Sequence, residues 1–215
     1  MIPPELPGAI RKNDALFMFG AVQKKPFVFA YAQDRVEVVG GPSCKEDREV
    51  HTDRCIDDGI AFIERRGGGG TVVLAPGMVI TVIVGERPTD AGAVTIFNSI
   101  HRCMINLLES AGVNGIVCCG ISDLAIGNRK ILGSSLYMGT SPNLYYYQSS
   151  LLVNPDLGLL GRYLRYPPRE PHYRQGRDHS DFCTSLADAD CTCTPETLCG
   201  LFNRQFGDCL QKSGV

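Results

Sequence analysis

Short apolar runs rich in β-branched residues fill the first 85 positions, with turn residues between them; further on, apolar positions recur three and four apart. The runs lie at 27–31, 36–39, 60–63, 71–74 and 79–84, and their length and composition predict strands. After Thr89-Asp90, apolar residues at Val94, Ile96, Phe97, Ile100, Cys103, Met104, Leu107 and Leu108 lead to Gly112, the spacing of an amphipathic helix. Two more strands are predicted at 115–118 and 124–126. The second turns at Gly127-Asn128 into Arg129-Lys130-Ile131, a pair in which Asn tolerates positive φ. Thr194-Pro195-Glu196 offers a hydroxyl cap and a first-turn proline for a last helix, whose stripe is Leu198, Leu201, Phe202, Phe206, Cys209 and Leu210. Strands precede helices without regular β-α alternation, so the fold class is α+β. With 215 residues and neither a repeat nor a low-complexity linker, the pattern gives one domain over 1–215, its end (183–215) helical and cysteine-rich.

One stretch breaks the pattern. IERRGGGGTVVLAPG, at 63–77, sets four glycines where a strand should begin, at a cost of roughly 0.5–1 kcal/mol each in chain entropy. Such a run is useful where backbone must turn with positive φ or another molecule must come close. A phosphate loop or dinucleotide fingerprint opens a helix, whereas here the glycines lead into Thr71-Val72-Val73-Leu74. Both motifs fail on context, leaving a ligand-facing turn or a plain loop.

Charge and composition remove other classes. A net charge of -2 gives no bulk attraction to nucleic acid. No apolar run approaches the ~20 residues of a membrane helix. The first residues lack the basic-then-apolar order of a signal peptide, and the ten cysteines are scattered through a chain too long to need staples. A cytoplasmic protein with reduced thiols and no metal is expected. The C-x-C-x5-C spacing at Cys191, Cys193 and Cys199 is not the C-x2-C pairing of zinc ribbons.

About fifty residues beyond the glycines, GISDLAIGNRKILGSS (120–135) adds an acid, a lysine followed by a glycine, and two serines. R-R-x-GGG-x-V followed by [NS]-D-L-x-[IV]-x-x-x-K-[IV]-x-G-S resembles the catalytic domain of lipoate-protein ligase A and biotin ligases. Weaker matches keep the family's order: Asn13-Asp14, Glu49-Val50 with Cys55 and Gly59-Ile60, and SSLLVNPDLGLLGRYL (149–164). The resemblance implies a central mixed, largely antiparallel sheet flanked by helices. It also implies that lipoate or octanoate is attached to a lysine of a lipoyl-domain or glycine-cleavage H-type acceptor through an acyl-adenylate made from ATP, with magnesium. Residues carried over are Lys130, for the carboxyl and phosphate oxygens, Asp123 beside it, and Arg65, Arg66, Gly67, Gly68, Gly69, Gly70, Thr71, Gly133 and Ser134 for substrate and nucleotide. The chemistry suits them: backbone N–H groups of a glycine turn meet phosphate or carboxylate oxygens, arginines add charge-assisted bonds, and a compact ammonium stabilises developing charge.

The same family contains transferases that pass the acyl group through a cysteine thioester. CCGISDLAIGNRK places Cys118 twelve residues before Lys130, the spacing of the similar amidotransferase motif, and a nearby cation lowers a thiol's pKa. This chain carries Leu74 where ligases have a histidine, and LYMGTSPNLYYYQSS where relatives have H-H-G-T. A non-catalytic acyl- or lipoyl-domain-binding protein is the third alternative. REPHYRQGRDHSDF (169–182) is expected to be mostly exposed and to face an acidic acceptor surface.

Overall fold

The computed structural model describes residues 13–89 and 91–213. In chain order the elements are α1 (Asn13–Ala21), β1 (Phe27–Ala32), β2 (Glu37–Gly40), α2 (Glu46–Glu49), α3 (Thr52–Asp57), β3 (Ala61–Glu64), β4 (Val72–Leu74) and β5 (Met78–Glu86). There follow α4 (Ala93–Ser110), β6 (Ile116–Cys119), β7 (Asp123–Ile126), β8 (Arg129–Met138), β9 (Leu144–Leu152), α5 (Gly158–Tyr163), α6 (His179–Phe182) and α7 (Pro195–Lys212). The α+β class holds, but the strands divide into two sheets. One has six strands in the order β1-β5-β9-β8-β7-β6, every pair antiparallel. The other, β3-β2-β4, pairs β2 with β3 in parallel and β2 with β4 antiparallel. The mixed character expected of a central sheet therefore belongs to the small one.

Strand β5 shows why the large sheet is central. Its first eight residues, MVITVIVG, are buried without alternation, the mark of a strand covered on both faces. Val79 and Ile83 join the core under α4 and α7, while Met78 and Ile80 pack toward the small sheet and Val82 and Val84 toward α1. Helix α7 presents Leu198, Phe202, Phe206 and Leu210, all fully buried at i, i+4 spacing, each worth about 1.5–3 kcal/mol. Its Asn203 amide bonds both the N–H and the carbonyl of Ala30 at 2.8 Å, which closes edge strand β1 to further pairing. Thr194 caps the helix as the sequence predicts, accepting from the Thr197 amide.

Some details differ from expectation. Helix α4 has Gly92 at its N-cap, two residues beyond the Thr89-Asp90 pair, of which Asp90 lies outside the described residues, and Val94 is half-exposed rather than in the buried stripe. The positive φ of the β7–β8 turn falls on Gly127, at 60°, and not on Asn128. Strand β8 runs to Met138, and β9, unpredicted, is the sheet's second central strand. Among the described residues no helix is long and apolar enough to cross a membrane.

Candidate functional site

A cavity of about 490 Å³ opens between the two sheets. Its apolar end is built by Phe29 and Tyr31 of β1, Val39, Ile63 and Leu74 of the small sheet, and Ile80 of β5. Its polar end gathers Asp123, Lys130, Gly133 and Ser134 on one side, and Arg65, Gly69, Gly70 and Thr71 on the other.

The first side depends on an irregularity in pairing. Asp123 faces Gly133 across β7 and β8, but Ala125 faces Lys130, so the register slips by one residue at Ile131. Asp123 and Ala125 share a face, and their partners share it too. Without the bulge Lys130 would point to the opposite face; with it, Lys130 stands beside Asp123 while both Ile131 and Leu132 are buried in the helical core. The Lys130 Nζ lies 2.8 Å from Asp123 Oδ1. Tyr173 donates its hydroxyl to Asp123 Oδ2 at 2.9 Å, and burial together with the Asp123 charge pushes the Tyr173 phenol far up, so it stays a donor. Gly133 is needed for space, since a Cβ there would sit 2.7 Å from Lys130 Nζ.

The glycine turn is held from inside. Buried Arg65 donates Nη1 to Val39 O at 3.1 Å and Nη2 to Gly68 O and Gly70 O at 3.0 and 2.7 Å. Burial pulls its pKa down to about 10, which leaves it charged at neutral pH. Gly69 has φ +103°, a region that favours glycine. Gly67 lies against β8, where a Cβ would meet Ser135 Oγ at 2.6 Å. Buried Glu49 accepts from the Thr71 amide and hydroxyl at 3.1 and 2.7 Å. Burial would raise the Glu49 carboxyl, but the bonds from the Thr71 hydroxyl and the Lys45 and Thr71 amides bring it below the usual range.

Four expectations are corrected. Arg65 braces the glycine turn instead of reaching outward as a free phosphate ligand, because its donors already serve three carbonyls. Arg66 does not line the cavity: it stacks over Phe17 and Tyr137, 5.2 and 5.6 Å from their ring centres. Of the four glycines, Gly69 and Gly70 line the cavity, whereas Gly67 and Gly68 support it. Cys118 is not brought to the site either. It shares a face of β6 with Ile116, which packs in the core under α4, and the charge acting on its thiol is Arg102 of α4. Burial raises that thiol, opposite to what a nucleophile needs. The thiols that feel the Asp123–Lys130 pair are Cys119 and Cys183, each raised chiefly by burial, with Lys130 opposing the rise at Cys183.

Segment 169–182 is mostly exposed, as expected, but does more than face solvent. Arg177 bonds Arg174 O, Tyr173 O and Asn128 O, Arg129 bonds Ser180 O and Cys183 O, and Arg174 and Phe182 are buried. Pro171, Arg174 and Phe182 thus form a wall of the cavity. His101 also escaped prediction. Fully buried on α4, it lies 3.2 Å from Ser134 Oγ, which itself donates to Ser122 O at 2.7 Å. Ser134 therefore accepts from His101 Nε2–H, and burial, against the Asp123 charge, holds the ring neutral with its pKa down to about 4. The signal was present: His101 stands four residues after Phe97 and three before Met104, within the apolar stripe.

One cavity thus joins an apolar end to a lysine–carboxylate pair and a glycine turn. Residues 14–206 match the model of the lipoyl protein ligase A/B catalytic domain, and the chain belongs to that family. Its fold is similar to one from a structural analysis of an archaeal lipoylation system, a bipartite lipoate protein ligase and its E2 lipoyl domain from Thermoplasma acidophilum (TM-score 0.78, 20% identity, covering 98% of this chain and 81% of that one). A lipoate protein ligase of the same organism with bound lipoic acid superposes with TM-score 0.75 at 20% identity over 94% of this chain and 80% of the other. A lipoate-protein ligase A bound with ATP gives TM-score 0.76 at 20% identity over 94% and 79%.

Proposed function

We propose that this chain attaches lipoate or octanoate to a lysine of an acceptor protein through an acyl-adenylate. The observation that carries this, within the family the chain belongs to, is the joining of an apolar cavity to the Lys130–Asp123 pair and the glycine turn. The acyl chain lies along Phe29, Tyr31, Val39 and Ile80, with its carboxylate at Lys130. Asp123, fixed by Tyr173, holds the ammonium in place so that little reorganisation is needed as charge develops on the carboxyl and phosphate oxygens. Gly69 and Gly70 bring main chain close to the ligand, and Arg65 and Glu49 keep that turn in shape from behind. ATP fits the polar end, where Arg174 keeps an unsatisfied buried donor; magnesium would arrive on the triphosphate, its usual mode of binding.

The acceptor is a lipoyl domain of the E2 type or a glycine-cleavage H-type protein, whose lysine amine attacks the mixed anhydride and releases AMP. The position of Cys118 against α4 gives the thioester route no support. Lipoate-dependent exchange of pyrophosphate into ATP tests the proposal. Exchange that requires lipoate and is lost in Lys130→Ala is expected, by about 10²–10³-fold, the usual loss of one charge-stabilising donor. Acyl transfer without ATP would overturn it, as would no exchange in protein shown to bind lipoate.

A further inference from the structure

Arg174 is 4% exposed, and the ion pair it makes with Glu170 is a long one. Its guanidinium is pressed between two rings, 5.0 Å from the centre of Tyr166 and 4.9 Å from that of Phe182. Nε donates to Arg177 O at 2.9 Å. The nearest carboxylate oxygen, Glu170 Oε2, is 3.7 Å from the same Nε, and Glu170 is occupied elsewhere, accepting from the Tyr166 hydroxyl and the Gly176 amide. Nη2 is buried and has no partner among the described residues, and the residue lines the cavity.

Such an arrangement is costly. A buried guanidinium is normally paired, and an unmet donor on it is among the more expensive defects a folded chain carries. The two rings flank the guanidinium and Nε is engaged, which leaves the buried Nη2 as the donor without a partner. Of the other cations that line the cavity, Lys130 is paired with Asp123, Arg65 gives Nη1 and Nη2 to three carbonyls and keeps only Nε unmet, and Arg169 is exposed to solvent. Arg174 is thus the buried cation of this wall with donor capacity to spare.

Building on the adenylation proposed above, we infer that Arg174 is a phosphate-binding residue, and that its Nη2 edge takes an oxygen of the nucleotide's phosphate chain. A phosphate fits better than the acyl carboxylate, because the carboxylate is served by Lys130 and because phosphate oxygens form charge-assisted bonds with a guanidinium donor. The segment bearing Arg174 is anchored on the catalytic pair itself through Tyr173 and Asp123, so phosphate on Arg174 and charge at Lys130 are held in one frame.

Calorimetric titration of the intact protein with ATP, inorganic pyrophosphate and lipoate tests the inference. Arg174→Gln should weaken ATP and pyrophosphate by about 10- to 100-fold, the worth of a charge-assisted bond, while lipoate binding changes less than twofold. Arg174→Lys, with charge but no fork, should recover part of the loss. ATP binding within twofold of the native protein in Arg174→Gln overturns the inference, and so does an equal weakening of lipoate, which would make Arg174 a strut. If neither variant folds, guanidinium ¹⁵N resonances of the unaltered protein decide: a shift of the Arg174 signal with pyrophosphate and not with lipoate supports the inference, and an unmoved signal overturns it. A native protein that binds no ATP overturns both this and the adenylation proposal, whereas ATP binding indifferent to Arg174→Gln overturns this alone.

Discussion

Replacing Gly133 by alanine tests the Lys130–Asp123 geometry without touching either charge. Gly133 lies in regular strand, so alanine brings no backbone strain of the kind a positive φ imposes. Its Cβ would stand 2.7 Å from Lys130 Nζ, 2.8 Å from Cε and 3.8 Å from Asp123 Oδ1. Non-bonded atoms sit comfortably at about 3.5 Å or more, so the ammonium has to retreat by about 0.8 Å, and its present 2.8 Å contact with Asp123 is broken or redirected. The atoms that move are the far end of a flexible side chain. Folding should therefore suffer little, below about 1 kcal/mol, as for the loss of a partly exposed ion pair.

Catalysis should suffer more. A displacement near 1 Å of a positioned group costs on the order of 10²-fold, so Gly133→Ala should lower the acylation rate roughly 30- to 100-fold, or about 2–3 kcal/mol in barrier. Single-turnover acylation of a lipoyl domain with lipoate and ATP measures the rate, and thermal unfolding checks the fold. The double variant Gly133→Ala/Lys130→Ala sharpens the test: if alanine acts through the lysine, the double loses no more than Lys130→Ala alone. Activity within threefold of the native protein, or losses that add in the double variant, would refute the reasoning.

Gly69→Val should weaken lipoate and ATP binding and cost about 1–3 kcal/mol of stability, because φ is +103° and a Cβ would press on Arg65 Nη2 at 3.1 Å; normal binding in a stable variant would reduce the glycines to a loose connection. His101 and His179 are both held near 4, chiefly by burial, so the unfolded chain, with histidines near 6.5, binds more protons as pH falls from about 6.5 toward 4, and stability drops through that window and is unaffected above it. Urea titrations at several pH values should show the slope reduced by about one proton in His101→Gln, and identical slopes would contradict it. Cys118→Ser should keep acylation within about twofold, as is usual for substitutions away from a site, and an acyl adduct found by mass spectrometry on Cys118 would reverse that conclusion.

The parts of the site that the sequence displays are those whose partners lie close along the chain. Arg65 and the glycines it braces are three and five residues apart, so R-R-G-G-G-G is one local unit, although charge alone suggested an outward-facing arginine. Four glycines bring bare carbonyls as well as N–H groups, and the nearest cation was drawn to the carbonyls. Lys130 and Asp123 are seven apart on a hairpin, and their motif is legible, but the device that puts them on one face is not: a bulge at Ile131 reflects a preference to bury both Ile131 and Leu132, decided by packing against α4. Without that slip, strict alternation sets Lys130 opposite Asp123; motif spacing pointed to Cys118, whereas it is Cys119 that pairs with Asp123 across β6 and β7.

The remaining partners are set by tertiary contacts alone. Glu49 reaches Thr71 across 22 positions, Tyr173 reaches Asp123 across 50, and Arg174 meets the cavity because residues 165–183 are tied to β8. A polar stretch rich in arginine looks solvated when its own composition is all there is to judge by. What reverses that judgement is aromatic spacing: Tyr166, Tyr173 and Phe182 recur among the arginines, and planar cations stack on such rings when both are withdrawn from water. The stacked geometry of Arg174, Arg177 and Phe182 shows this wall to be a built surface. The charge it presents to the cavity is a feature of the site that no short motif carries.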